Sequence, residues 1–235
     1  MMRVIQLAVA CVAVLVASAG QVQAGIITNG GFETGDFTGW TATSNVGGGI
    51  IELVPWTVSG SGGGFFLNSS PNSGGFSAYN GFDGGAGLEY RLYQDVSIDA
   101  SSATLTTNHR IVYLGDGTSS LDRIFEINVL DTSDVLLANL YTSSTTMNGA
   151  PFTDTGWLNN SFDLSSFIGS TIRLEFFQSI PESYTGPAHL ELDDISLSAA
   201  VPEPSSLTLF GIGACVAGIG ACRRRRRQKQ QQATS

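Results

Sequence analysis

Between Gly25 and Ala200 the sequence has no cysteine and no lysine. The three cysteines of the chain, Cys11, Cys215 and Cys222, all lie in apolar stretches near its ends. The central region therefore has no disulfide framework, no thiol nucleophile and no cysteine-type zinc site. Basic residues are almost as scarce: Arg91, Arg110, Arg123 and Arg173 face 19 acidic residues, a formal charge of −15 over 176 residues. Such a surface repels nucleic acid and anionic lipid. Histidine occurs twice, as His109 and His189. His109 shares the parity of Leu105 and Ile111, which predicts a buried imidazole rather than a base; His189 opens the last predicted strand. The sequence holds neither a G-x-S-x-G elbow nor an H-E-x-x-H helix. Acids are plentiful enough to make a glycosidase pair by number, but none sits in a recognisable catalytic setting, and the expectation is a noncatalytic protein.

The amino terminus, MMRVIQLAVACVAVLVASAGQVQA, has one early positive charge, an apolar stretch from Val4 to Ala17, and small and polar residues up to Ala24. That layout predicts a secretory signal peptide over residues 1–24, since the apolar stretch falls below the roughly 18 to 20 residues of a spanning helix. The mature chain is expected to begin at Gly25, and residues 25–200 are long enough for one domain with a sizeable core.

No long stretch of that region has helical periodicity. Short β-branched and aromatic runs alternate with Gly, Asn, Ser and Asp, the pattern of a sandwich or barrel. Strands are predicted at 50–58, 75–82, 88–98, 103–113, 123–130, 135–141, 157–164, 171–180 and 188–198. In LEYRLYQDVSI, Leu88, Tyr90, Leu92, Val96 and Ile98 fall on one face and Arg91, Tyr93 and Asp95 on the other, predicting one core side and one wet side. LDTSDVLL reads as a hairpin with Thr132 to Asp134 in its loop. The region's 24 glycines include runs such as GSGGGFF and NGFDGGAG. These lack the preceding strand, following helix and lysine of a phosphate cradle and read as loops.

NGGFETGDFTGWT, Asn29 to Thr41, resembles the opening of carbohydrate-binding-module-like jelly rolls, the galactose-binding-like β-sandwiches. LYQDVSI, WLNNSFDLSSFIGSTIRLEFF and LELDDISL follow in the order of that family's later strands. The resemblance implies an all-β jelly-roll sandwich over residues 25–200; it supports fold more than ligand. Phe32 and Trp40 are expected in the core, and Asp163 is expected to cap the turn of DLSSFIG. The family's first and last strands lie side by side, often with a structural calcium nearby, so the resemblance implies Ca²⁺ at Glu33, Asp193 and Asp194. In LELDDISL the alternation breaks at the Asp pair, with Leu190 and Leu192 on one parity and Ile195 and Leu197 on the other, which predicts a bulge. If the domain binds an extracellular polysaccharide, the candidate contacts are Arg91, Tyr93, Tyr113, Trp56 and Trp157, because sugars are held by aromatic planes and hydroxyl-satisfying polar groups.

The carboxyl end, VPEPSSLTLFGIGACVAGIGACRRRRR, resembles the PEP-CTERM sorting signal over residues 201–227: the triplet Pro202, Glu203, Pro204, an apolar helix, and the cluster Arg223, Arg224, Arg225, Arg226 and Arg227. A polar tail, 228–235, follows. The resemblance implies a transient inner-membrane hold, orientation by the arginines, and cutting near the triplet by an exosortase. Residues 207–221 make a short apolar helix of roughly 23 Å, less than the roughly 30 Å of a bilayer core, which suits a temporary stop. The expected protein is an exported, noncatalytic cell-surface or extracellular-matrix module with a carbohydrate-binding-like domain. A structural matrix protein without a small ligand, or a secreted hydrolase, are the alternatives.

Overall fold

The structure, a computed structural model, describes residues 27–45, 54–63, 68–82, 88–114, 122–145, 151–181 and 188–199. The chain divides into two compact units, Met1–Ala200 and Val201–Ser235, and every described residue belongs to the first. The expected signal peptide, the Pro-Glu-Pro triplet, the apolar helix and the arginine cluster lie outside the described residues.

The first unit is an all-β jelly-roll sandwich. Its strands are β1 (Thr41–Asn45), β2 (Val54–Gly60), β3 (Phe76–Phe82), β4 (Leu88–Ser97), β5 (Thr104–Tyr113), β6 (Arg123–Leu130), β7 (Leu136–Thr145), β8 (Thr153–Asp154), β9 (Leu158–Asp163), β10 (Thr171–Ile180) and β11 (Ala188–Ser198). One sheet runs β1-β4-β10-β6-β7; the other runs β2-β3-β11-β5-β8, with β9 also paired to β5. All the ladders are antiparallel. The predicted strands match β2 to β7 and β9 to β11. The two shortest, β1 and β8, carry no apolar alternation and were invisible to pattern reading.

Period two decides what faces inward. In β4, Leu88, Tyr90, Leu92 and Val96 are buried while Glu89, Asp95 and Ser97 are exposed. Leu174 and Phe176 of β10 and Ile127 and Val129 of β6 complete that sheet's inner face; Leu190 and Leu192 of β11 and Leu105 of β5 meet them from the other. Each large apolar side chain removed from water contributes about 1.5–3 kcal/mol, which replaces the missing disulfides. The segment before β1 closes one part of the core: Phe32 and Trp40 are buried, with ring centroids 5.7 Å apart, and Trp40 lies 6.0 Å from Phe176. The Trp40 indole N–H donates to the Asn29 carbonyl at 3.1 Å.

His109 is fully buried, as its parity predicts, 5.1 Å from the Phe125 ring and 5.0 Å from the Tyr141 ring. The hairpin at Thr132–Asp134 forms, with Asp131 Oδ1 accepting from the Ser133 and Val135 amides at 2.8 and 2.9 Å. Asp163 Oδ1 accepts from the Ser165 amide at 2.8 Å, a local turn that leads into the 3-10 turn Ser165–Phe167. The bulge in the last strand is present too: register shifts between Asp193 and Ser196, and Asp194 adopts φ 48°. It lets Ile195 and Leu197 return to the core after the Asp pair.

Candidate functional site

The outer face of the first sheet is built by the residues that alternate with its core. Strand pairing sets them in rows: Tyr93, Glu175, Asn128 and Asn139 form one, and Arg91, Phe177, Glu126 and Thr142 the next. A third sets Asp95 beside Arg173 and Leu130. Between the rows lies an open groove of ≈ 320 Å³, lined by Glu89, Arg91, Glu126, Asn128, Glu175 and Phe177, with Leu130, Asp134 and Leu136 on the hairpin side.

The polar groups of this face are interlocked. Arg91 Nε donates to Glu175 Oε1, and its Nη2 to Asp134 Oδ1 at 3.0 Å. Arg173 holds Asp95 with two bonds, 2.8 and 3.0 Å, and also reaches Asp134 Oδ1 at 2.6 Å. Hydrogen bonds from Arg173 and then Arg91 hold the Asp134 carboxyl below the usual carboxylate range. Asp134 sits at φ 66° at the hairpin tip, a left-handed conformation kept where surrounding bonds over-determine it. Tyr93 lies under these cations, its ring centroid 4.2 Å from the Arg173 guanidinium carbon and 5.6 Å from that of Arg91. One face of that ring is thus already stacked. Asn128 is buried, and its Nδ2 donates to Glu126 Oε2 at 3.2 Å and Glu175 Oε2 at 3.3 Å.

The five candidate sugar contacts do not form one patch. Arg91 and Tyr93 come together on this face. Trp56 is only 6% exposed and belongs to the core, so the expectation of a sugar platform there is corrected: a bulge between Val54 and Thr57 resets the parity of β2. Tyr113, at the end of β5 in the other sheet, is half-buried against the core. Trp157 precedes β9 and donates its indole N–H to the Ser70 carbonyl at 2.9 Å. The groove residues that sequence reading missed, Glu126, Asn128, Glu175 and Phe177, alternate with the core in RIFEINVL and RLEFFQS. That alternation was the available signal.

The three candidate calcium ligands cluster elsewhere, around the bulge in β11. Asp193 is buried, Oδ2 accepting from the Asn72 and Ser73 amides at 2.8 and 3.1 Å and Oδ1 from the Asp194 amide at 2.7 Å. Burial pushes its carboxyl up to about 6, with the charge of Asp194 adding to the rise. Asp194 accepts from Ser73 Oγ and Asn72 Nδ2, each at 2.6 Å. A carbon placed on Gly31 would lie 3.7 Å from Asp193 Oδ1 and 3.9 Å from Asp194 Oδ1, so both oxygens face one small space. The Glu33 carboxylate instead caps the Gly75 and Phe76 amides at 3.0 and 3.1 Å. Among the described residues, no three His, Cys, Asp or Glu side chains group as a metal-holding set. Asp193 and Asp194 fit one side of an oxygen cage; Glu33, as oriented here, does not.

Residues 200–227 match the PEP-CTERM protein-sorting motif. That motif implies export, membrane-associated sorting to the cell surface and processing by an exosortase. No curated protein sequence matches the chain. Among solved structures, a CBM61 module in complex with β-1,4-galactotriose is similar at 14% identity, over 76% of this chain and 100% of that one, with a TM-score of 0.46. The K3 cleaved adhesin domain of Lys-gingipain from Porphyromonas gingivalis W83 is similar at 15% identity, over 76% and 99%, TM-score 0.47. An arabinose-bound α-L-arabinofuranosidase is similar at 13% identity over 77% of this chain and 27% of its own, TM-score 0.43. The class defined by fold and tail is an exported β-sandwich protein carrying an exosortase sorting signal.

Proposed function

We propose that the sandwich is a noncatalytic glycan-binding module of the cell surface or extracellular matrix, with its ligand in the groove over β4, β10 and β6. The observation that carries this reading is the groove: a shallow, open sheet face joining an apolar ring, Phe177, to amide and carboxylate groups held in fixed positions. Small-ligand sites combine apolar walls with a few positioned polar groups in this way. The reading predicts retention of the protein on insoluble or gel-embedded polysaccharide, lost in Phe177→Ala. No retention on any polysaccharide would leave a structural matrix role.

One observation favours a second reading, a hydrolase. Glu126 and Glu175 accept from the same amide nitrogen, at 3.2 and 3.3 Å, so the two carboxylates are close neighbours, as a glycosidase pair must be. Against it, both Glu175 oxygens are already engaged, by Arg91 and by Asn128. Release of reducing ends from a bound polysaccharide would establish it. Calcium belongs to the proposal as a structural ion at Asp193 and Asp194, supported by their two Oδ1 atoms facing the one small space beside Gly31.

A further inference from the structure

We infer that the groove selects a hydrogen-donating glycan, neutral or amine-bearing, and rejects polysaccharides carrying carboxylate, sulfate or phosphate. The inference rests on the glycan reading above and follows from counting which atoms of the groove are still uncommitted.

The amide and hydroxyl donors are committed, and Arg91 is partly so. Arg91 spends Nε on Glu175 and one Nη2 N–H on Asp134, keeping the second Nη2 N–H and the two on Nη1. Asn128 Nδ2 serves both Glu126 and Glu175. Asn139 Nδ2 donates to Asn128 Oδ1 at 2.9 Å and to the Tyr141 carbonyl at 3.3 Å, and Thr142 Oγ1 donates to Asn139 Oδ1 at 2.9 Å. This chain of amides fixes which end of each side chain points where. What remains open is acceptor: Glu126 Oε1 and both Glu89 oxygens take no hydrogen bond from the described residues. A ligand completing the Glu126 and Glu89 side of this floor must therefore donate, as sugar hydroxyls and ammonium groups do.

Charge points the same way. Glu89, Glu126, Asp134 and Glu175 line the groove against a single cation, Arg91, which is already paired to two of them. An anionic chain would meet net like charge, since the Arg91 charge is already matched by two carboxylates, and like-charge juxtaposition suppresses a wrong partner more than it tunes a right one. Phe177 offers a ring that suits the apolar face of a sugar.

The experiment is affinity electrophoresis of the full-length chain through gels containing β-1,4-galactan, chitosan or alginate, at low and at high salt. Retardation is expected in galactan, chitosan or both, and none in alginate. Galactan retardation should survive high salt, whereas chitosan retardation should fall with it. Glu126→Gln and, separately, the exposed Glu89→Gln should each weaken chitosan binding by about tenfold or more, the size of one charge-assisted hydrogen bond. Melting temperature checks that both variants fold. Retardation by alginate equal to or above the other gels would overturn the inference and leave the glycan reading standing. Absence of retardation in all three would overturn both.

Discussion

Replacing His109 by glutamine should remove a specific part of the protein's acid sensitivity. The imidazole is fully buried between the rings of Phe125 and Tyr141, and Asn160 Nδ2 lies 2.9 Å from Nδ1. If the amide donates, Nδ1 is the acceptor and the proton sits on Nε2, which has no partner among the described residues. A second proton would put an uncompensated charge in the core, so burial lowers the pKa to about 4 from 6.5. Above pH 6.5 both folded and unfolded chains carry neutral histidine, and the full stability is present. As pH falls below 6.5 the unfolded chain takes up a proton that the folded chain refuses, and stability is lost down to about pH 4. At 1.36 kcal/mol per unit the loss approaches about 3 kcal/mol. Asp193 acts in the opposite sense: its folded pKa of about 6 lies above the ordinary 3.8, so the folded chain gains stability as pH falls through that window. The two contributions oppose each other in the wild-type profile, and only a difference isolates the histidine. Urea unfolding followed by tryptophan fluorescence at pH 7.5, 6, 5 and 4 should show wild type losing about 3 kcal/mol relative to His109→Gln across the series. Parallel profiles for the two proteins would refute the placement of a neutral histidine in the core.

Calcium at Asp193 and Asp194 should raise the melting temperature by several degrees over the chelator-treated protein, through mass action on the folded state; Asp193→Asn should abolish the separation, and coincident wild-type melts would end the idea. Gly30→Ala should cost about 2–3 kcal/mol, because the new carbon would sit 1.9 Å from the Ile195 carbonyl oxygen, backbone that cannot swing aside. An unchanged melting temperature would show that the chain crossing there is looser than described. Mass spectrometry of the extracellular protein should find a carboxyl terminus near residues 201–205; full-length protein retained in the inner membrane of cells with an active exosortase would instead make the tail an ordinary anchor.

Strands were legible where one face is buried and the other wet, because burial then writes period two into the sequence. LEYRLYQDVSI is the clearest case, and its split into core and solvent faces is the one observed. TATSN at β1 shows the limit. It pairs with β4 residue for residue, yet its described side chains are largely exposed, so nothing apolar marks it. What holds it is backbone hydrogen bonding, which any sequence supplies and none announces. Trp56 shows a different limit. The irregularity between Val54 and Thr57 breaks the period of two, and Trp56 is buried in the core.

The groove was less legible than the fold because it is a property of pairs. Arg91 and Tyr93 could be read as outward-facing from β4 alone, but their meaning depends on Arg173 and Glu175, brought alongside by the β4–β10 register, and on Asp134 from a separate hairpin. In isolation Tyr93 is a free aromatic plane; in the sheet it is stacked beneath a guanidinium 4.2 Å away. The pair Phe176-Phe177 makes the converse point. Adjacent in one strand, they must face opposite sides of the sheet, but neither residue by itself tells which side meets water. The register sets Phe176 against Leu92 and Ile127 inside, and Phe177 against Arg91 and Glu126 outside. The neighbours across the strands, rather than the residue itself, convert the second phenylalanine from packing into a surface a ligand can use.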